Sequence, residues 1–155
     1  MPLLKSWVAS ANSADTPFPL NNLPYGVFSV GEEDPRCGVA IGDMILDMQA
    51  AEEAGLIDLT DYALFEVPFW NDLMEEGAAV WAALRERLIA LLSAGSAEQA
   101  KVEPLLVPMK DAELHMPMMV SEYTDFYAGK NHAFNVGTMF RGPENALPPN
   151  WLHIP

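Results

Sequence analysis

The residues best suited to chemistry gather in one stretch, YTDFYAGKNHAFNVGTMFRG, from Tyr123 to Gly142. His132 lies close in sequence to Asp125 and Tyr127. An imidazole takes a proton from water at neutral pH, and does so well only when a partner orients its second nitrogen. Asp125 and Glu122 offer carboxylate oxygens to a hard cation such as Ca²⁺ or Mg²⁺. Two carboxylates do not fill the six or more positions such an ion needs, so this stretch cannot build the site alone. Arg141 is a fixed bidentate donor suited to a carboxylate. Each of these residues also has a purely structural reading. His132 serves equally as a hydrogen-bonded structural histidine, Asp125 as a turn or N-cap residue, Tyr127 as packing and Arg141 as a surface or ion-paired cation. His115 and His153 read as structural, and no GxSxG, P-loop, HExxH or GxGxxG motif occurs. Taken alone, these residues point to an acidic protein with a candidate polar site over 122–141.

The elements that must position this stretch follow from periodicity. Prolines at 17, 19 and 24 exclude regular helix from residues 1–24, which read as an ordered extended arm with Phe18, Leu20, Leu23 and Tyr25 seeking burial. Short strands are predicted over 26–30, 37–42 and 44–48, the last two joined at Gly42-Asp43 by a tight turn of the type II′ kind. Three strands in so short a span suggest a small barrel or meander. QAAEEAGL reads as a short helix ending at Gly55. Residues 60–76 read as irregular and aromatic. The clearest helix is 77–92, with Val80, Trp81, Leu84, Leu88, Leu91 and Leu92 on one face and Arg85, Glu86 and Arg87 on the solvated one. A weaker helix or extended arm leads to Pro104, and the Met-rich segment 107–120 reads as a crossing into the next unit. Residues 130–141 can form a helix that places His132 beside Asn135, Val136 and Met139.

Totals narrow the partners. The 155 residues suffice for one domain, or a small domain and part of another, and half are apolar. The formal net charge of -14 opposes nucleic acid and an anionic membrane surface. Residues 1–117 carry 6 basic and 19 acidic side chains, whereas 118–155 carry 2 and 3. A small anionic molecule therefore belongs with the second, nearly neutral part. Cys37 is the single cysteine, which excludes an internal disulfide and reads as a small buried hydrophobe. With no signal-peptide pattern and no long apolar run, the expected location is the cytoplasm.

YTDFYAGKNHAFNVGTMFRGPENALPPNWLHIP, together with FPLNNLPYGVFS and RCGVAIGDMILDM nearer the N-terminus, closely resembles the fumarylacetoacetase family. The resemblance runs over nearly the whole chain and is weakest at 50–115. It implies an α+β protein: a small SH3-like β-barrel domain with accessory helices over 1–117, then the opening, incomplete segment of a β-rich catalytic domain over 118–155. It implies a homodimer that hydrolyses a C–C bond of 4-fumarylacetoacetate, a dicarboxylic diketone, to fumarate and acetoacetate, the last step of tyrosine and phenylalanine catabolism. Position by position, Asp125 matches a carboxylate ligand of a divalent cation, Ca²⁺ or Mg²⁺. His132 matches the catalytic base, and Tyr127 and Arg141 match substrate contacts. The family's other metal ligands, the acid partnering the histidine and the oxyanion-site bases belong to downstream sequence. The 155-residue chain alone is therefore expected to be inactive and to bind metal weakly. Two alternatives stand beside this reading. One is a non-catalytic barrel module that binds a partner or stabilises a dimer. The other is a superfamily relative acting on another β-dicarbonyl acid, against which the FPLNNLPYGVFS arm argues.

Overall fold

The computed structural model describes residues 3–124 and 126–153. They form two compact units, Met1–Met119 and Val120–Pro155.

The first unit is α+β. Strands β1 (Tyr25–Ser29), β2 (Arg36–Ile41) and β3 (Met44–Asp47) pair antiparallel in sequence order, and β4 (Leu106–Pro108) and β5 (Glu113–His115) add one to each side. The order is β4-β3-β2-β1-β5. Strands β1 to β3 form the meander that the spacing allows; among the described residues β4 and β5 do not pair, so the sheet keeps two edges and the SH3-like barrel that the resemblance implies is not closed by hydrogen bonds. Both edge strands are three residues long. They lack the alternation that marks a strand in sequence, which is why the segment 107–120 reads only as a crossing.

The β2–β3 hairpin turns where expected, with Gly42 at φ +59°. Only glycine takes that conformation at little cost, and a Cβ there would also lie 2.6 Å from the Ala11 nitrogen of the arm. Val27, Cys37, Val39, Ile41 and Leu46 line the sheet face that meets the main core. On the other face Gly38 leaves room for Phe28 and Ile45, whose side chains would sit 2.7 and 2.6 Å from a Cβ built there. Asp47 is buried and joins two elements. It pairs with Arg36, and its Oδ1 accepts the Ala50 amide at 3.0 Å. That bond caps α1 (Met48–Glu53).

Three more α-helices follow among the described residues: α2 (Asn71–Glu75), α3 (Ala78–Leu92) and α4 (Gln99–Val102). Leu84, Leu88, Leu91 and Leu92 of α3 are buried, as the spacing requires. Trp81 departs from the expected face. It is exposed, and its indole N–H donates to the Leu73 carbonyl at 2.7 Å, because α2 ends beside it. The expected solvated face also does more than meet water. Arg85 donates to the carbonyls of Asn21 and Asn22, and Arg87 donates to the Leu56 carbonyl and forks onto Glu98 at 2.7 and 2.9 Å. Cationic side chains here satisfy loop carbonyls that lack a ladder partner. The aromatic stretch is anchored likewise. Glu52 accepts the amides of Leu64 and Phe65, and Trp70 stacks on Tyr25 with centroids 4.4 Å apart. The arm is ordered, with Leu20 and Leu23 buried and Ser6 bridging Ser93.

Candidate functional site

The second unit holds the residues singled out from sequence. Its longest element among the described residues is the helix α5 (Lys130–Arg141), which coincides with the expected helix. The face differs. Ala133 and Gly137 are buried, while His132, Asn135 and Met139 are exposed. Small residues win that face because the chain folds back on it. A Cβ on Gly137 would lie 1.9 Å from the Ala146 carbonyl oxygen. Glycine at 137 is thus what lets the 142–146 turn lie against the helix.

Arg141 locks that turn. Its Nε donates to the Asn145 carbonyl at 3.1 Å and its Nη2 to the Ala146 carbonyl at 2.9 Å. Two donors on one edge of the guanidinium are therefore spent on backbone, and Nη1 makes no hydrogen bond among the described residues. The cation also sits in the last turn of α5, where the helix dipole favours positive charge.

Tyr127 precedes the helix with φ +55°, a left-handed conformation rare for a bulky residue. It is held at both ends. The indole N–H of Trp151 donates to its carbonyl at 2.9 Å, and its own hydroxyl donates to the Ala133 carbonyl at 3.0 Å. Its ring meets that of His132 edge-on, with centroids 5.7 Å apart and planes at 78°. The structure thus brings Tyr127 and His132 into contact and places Arg141 at the far end of the same helix. Beside Tyr127 lies a half-open cleft of about 390 Å³, walled by Phe126, Tyr127, Pro148, Asn150, Trp151 and Leu152.

Asp125, the expected metal ligand, lies outside the described residues. Glu122 is exposed, and no group of three or more His, Cys, Asp or Glu is gathered among the described residues. These residues alone do not make a divalent-cation site. His115 shares a 2.8 Å hydrogen bond with Ser29 where β5 meets β1. Cys37 is fully buried, and burial pushes its thiol up to about 12. It stays protonated and cannot serve as a nucleophile near neutral pH. Sequence reasoning missed Gly137 and Trp151. A glycine four residues before Arg141 was the available signal for a close approach. Spacing carries nothing that aims the Trp151 indole at residue 127.

The comparisons with known proteins bear on the whole chain. A family model described as Fumarylacetoacetase N-terminal matches residues 21–117. A fumarylacetoacetase of Bos taurus is 45% identical over 148 residues, covering 91% of this chain and 35% of that protein. One of Homo sapiens is 43% identical with the same coverage. One of Arabidopsis thaliana is 41% identical over 170 residues, covering 100% of this chain and 38% of that protein. The chain thus spans little more than a third of the length of these relatives.

Proposed function

The chain belongs to the fumarylacetoacetase N-terminal family, and from that premise we propose that it forms the N-terminal part of a hydrolase that cleaves 4-fumarylacetoacetate to fumarate and acetoacetate. The observation that carries the reading is the edge-on contact of Tyr127 with His132 beside an open cleft, with Arg141 on the same helix. In this reading an imidazole nitrogen of His132 takes the proton of a water. The resulting hydroxide adds to the carbonyl next to the fumaryl group. The C–C bond then breaks, its electron pair leaves as the acetoacetate enolate, and a proton returned to that enolate gives acetoacetate. Arg141 would meet an anionic end of the substrate through Nη1. Tyr127 would fix the imidazole plane and line the cleft.

A divalent cation, Ca²⁺ or Mg²⁺, is the cofactor this reading calls for, with Asp125 as one ligand. Its other oxygens would have to come from beyond the described residues, so no step is derived through it. The same proposal takes the assembled protein as a cytoplasmic homodimer. A net charge of -14 argues against nucleic acid as a partner. No helix among the described residues is long and apolar enough to cross a membrane.

The reaction class is tested by isotope tracing on the whole protein that carries this chain. In H₂¹⁸O, one labelled oxygen is expected in the fumarate carboxylate newly formed and none in the carboxylate of the acetoacetate, whose ketone oxygen exchanges with water by itself. Release of CO₂ in place of acetoacetate would overturn the reading in favour of a decarboxylase. A second reading, a non-catalytic module, rests on the compactness of Met1–Met119, which has its own hydrophobic core. It applies to that unit alone.

A further inference from the structure

The contacts of the second unit close on themselves. Helix α5 packs its Gly137 face on Ala146. The chain then turns through Pro148, whose carbonyl accepts the Trp151 amide at 3.0 Å. The Trp151 indole reaches the Tyr127 carbonyl, and the Tyr127 hydroxyl returns to Ala133 of α5. Trp151 is the link that joins the last described residues to the segment before the helix. It acts on the one residue of this unit other than glycine whose φ is positive among those described.

We infer that Trp151 is a positioning residue. Its indole N–H holds Tyr127 in the left-handed conformation and thereby sets the ring edge that Tyr127 presents to His132. A left-handed tyrosine is unfavourable by itself and persists only where its surroundings fix it. Two of the bonds described at Tyr127 contribute to this, and they have different sources. The hydroxyl bond comes from Tyr127 itself and ties its ring to α5. The carbonyl bond is made by the side chain of Trp151 and fixes the peptide plane between residues 127 and 128. Without it, rotation about that plane lets the backbone relax to an extended conformation, and the ring leaves His132. The indole also walls the cleft beside Tyr127, so one side chain sets both the imidazole's neighbour and the shape of the space next to it.

The test uses the full 155-residue chain and solution NMR. Trp151→Phe keeps an aromatic ring and removes only the N–H. The variant is expected to lose the strong intraresidue amide-to-Hα cross-peak that a positive φ gives Tyr127. It should also lose the Tyr127–His132 ring cross-peaks, while α5 amides keep their protection. Retention of both signatures would overturn the inference, and so would melting of α5, which would make Trp151 ordinary packing. A second comparison guards against that ambiguity. Glycine adopts positive φ without restraint. In a Tyr127→Gly background, Trp151→Phe should therefore leave the His132 ring resonances unmoved, whereas a merely structural tryptophan would shift them in both backgrounds. The catalytic consequence rests on the proposed function. In the whole protein, Trp151→Phe should raise KM for the diketo acid and lower kcat, each roughly two- to tenfold, the range of one lost hydrogen bond, because the proposed base loses the ring that fixes its plane. If the NMR result holds and neither constant moves, the role given to Tyr127 is wrong and the positioning stands.

Discussion

Gly137→Ala opposes two effects of known sign. By helix propensity alone the change stabilises α5 by about 1 kcal/mol, since alanine loses less backbone entropy than glycine. Geometry opposes it. The new methyl would lie 1.9 Å from the Ala146 oxygen, 2.7 Å from its carbonyl carbon and 2.8 Å from Nη2 of Arg141. The first two are backbone atoms that cannot rotate away, so the 142–146 turn must lift off the helix. Overpacking of this kind costs about 1–3 kcal/mol. Lifting the turn also breaks the two Arg141 bonds to Asn145 and Ala146, each worth at least about 0.5 kcal/mol. After the propensity gain is subtracted, the variant is expected to be less stable locally by about 1–3 kcal/mol. Hydrogen exchange on the 155-residue chain reads this directly. Amides of α5 should exchange roughly five- to hundredfold faster, while those of α3, in the other unit, are unchanged. Asn135→Ala, on the exposed side of α5, supplies the control and should slow exchange. If Gly137→Ala also slows exchange, propensity rules and the close approach of Ala146 does not occur.

Other expectations come from the first unit. Cys37 should resist iodoacetamide in the native chain at pH 8 and react once urea exposes it; prompt native alkylation would contradict its burial. Its raised pKa fixes a sign: stability is full below the ordinary thiol range and falls as pH rises toward about 12, because the unfolded thiol ionises first. Cys37→Ala should flatten that alkaline loss in urea melts. The Arg87 fork holds the Glu98 carboxyl below its ordinary value. Its stabilisation is therefore present above the usual glutamate range and lost as pH falls through the lower folded value, and Glu98→Gln should weaken the acid dependence of unfolding. Gly38→Ala pushes a methyl into the buried Phe28 and Ile45 side chains and should lower the urea midpoint by the equivalent of about 1–3 kcal/mol.

What sequence revealed, and what it concealed, divides along local and non-local forces. Strands β1 to β3, the Gly42 turn and helices α3 and α5 stand where alternation, helical spacing and glycine placed them, because those signals act within a few residues. Strands β4 and β5 are held by partners far along the chain, Met44–Leu46 and Val27–Ser29, and have no pattern of their own. The face of α3 that reads as solvated is so only in part. Charge marks Arg85 and Arg87 as wet, yet each spends its donors on carbonyls of distant loops. In the site, the residue types of Tyr127, His132 and Arg141 could be read from sequence. The left-handed backbone of Tyr127 and the return of Arg141 to its own turn could not, since both depend on a fold-back that only Gly137 hints at. Asp125 falls outside the described residues, so the metal-binding role assigned to it remains a proposal.

The proposal that His132 is the general base of a C–C bond hydrolase meets its most direct test in turnover. The measurement is acetoacetate release from 4-fumarylacetoacetate by the whole protein that carries this chain, compared with its His132→Gln variant, which keeps a polar side chain and removes the base. The account predicts a loss of about 10²- to 10⁴-fold in kcat, the usual contribution of a positioned general base, with the fold of α5 unchanged by hydrogen exchange. A variant that keeps kcat within a few-fold of the parent would contradict it.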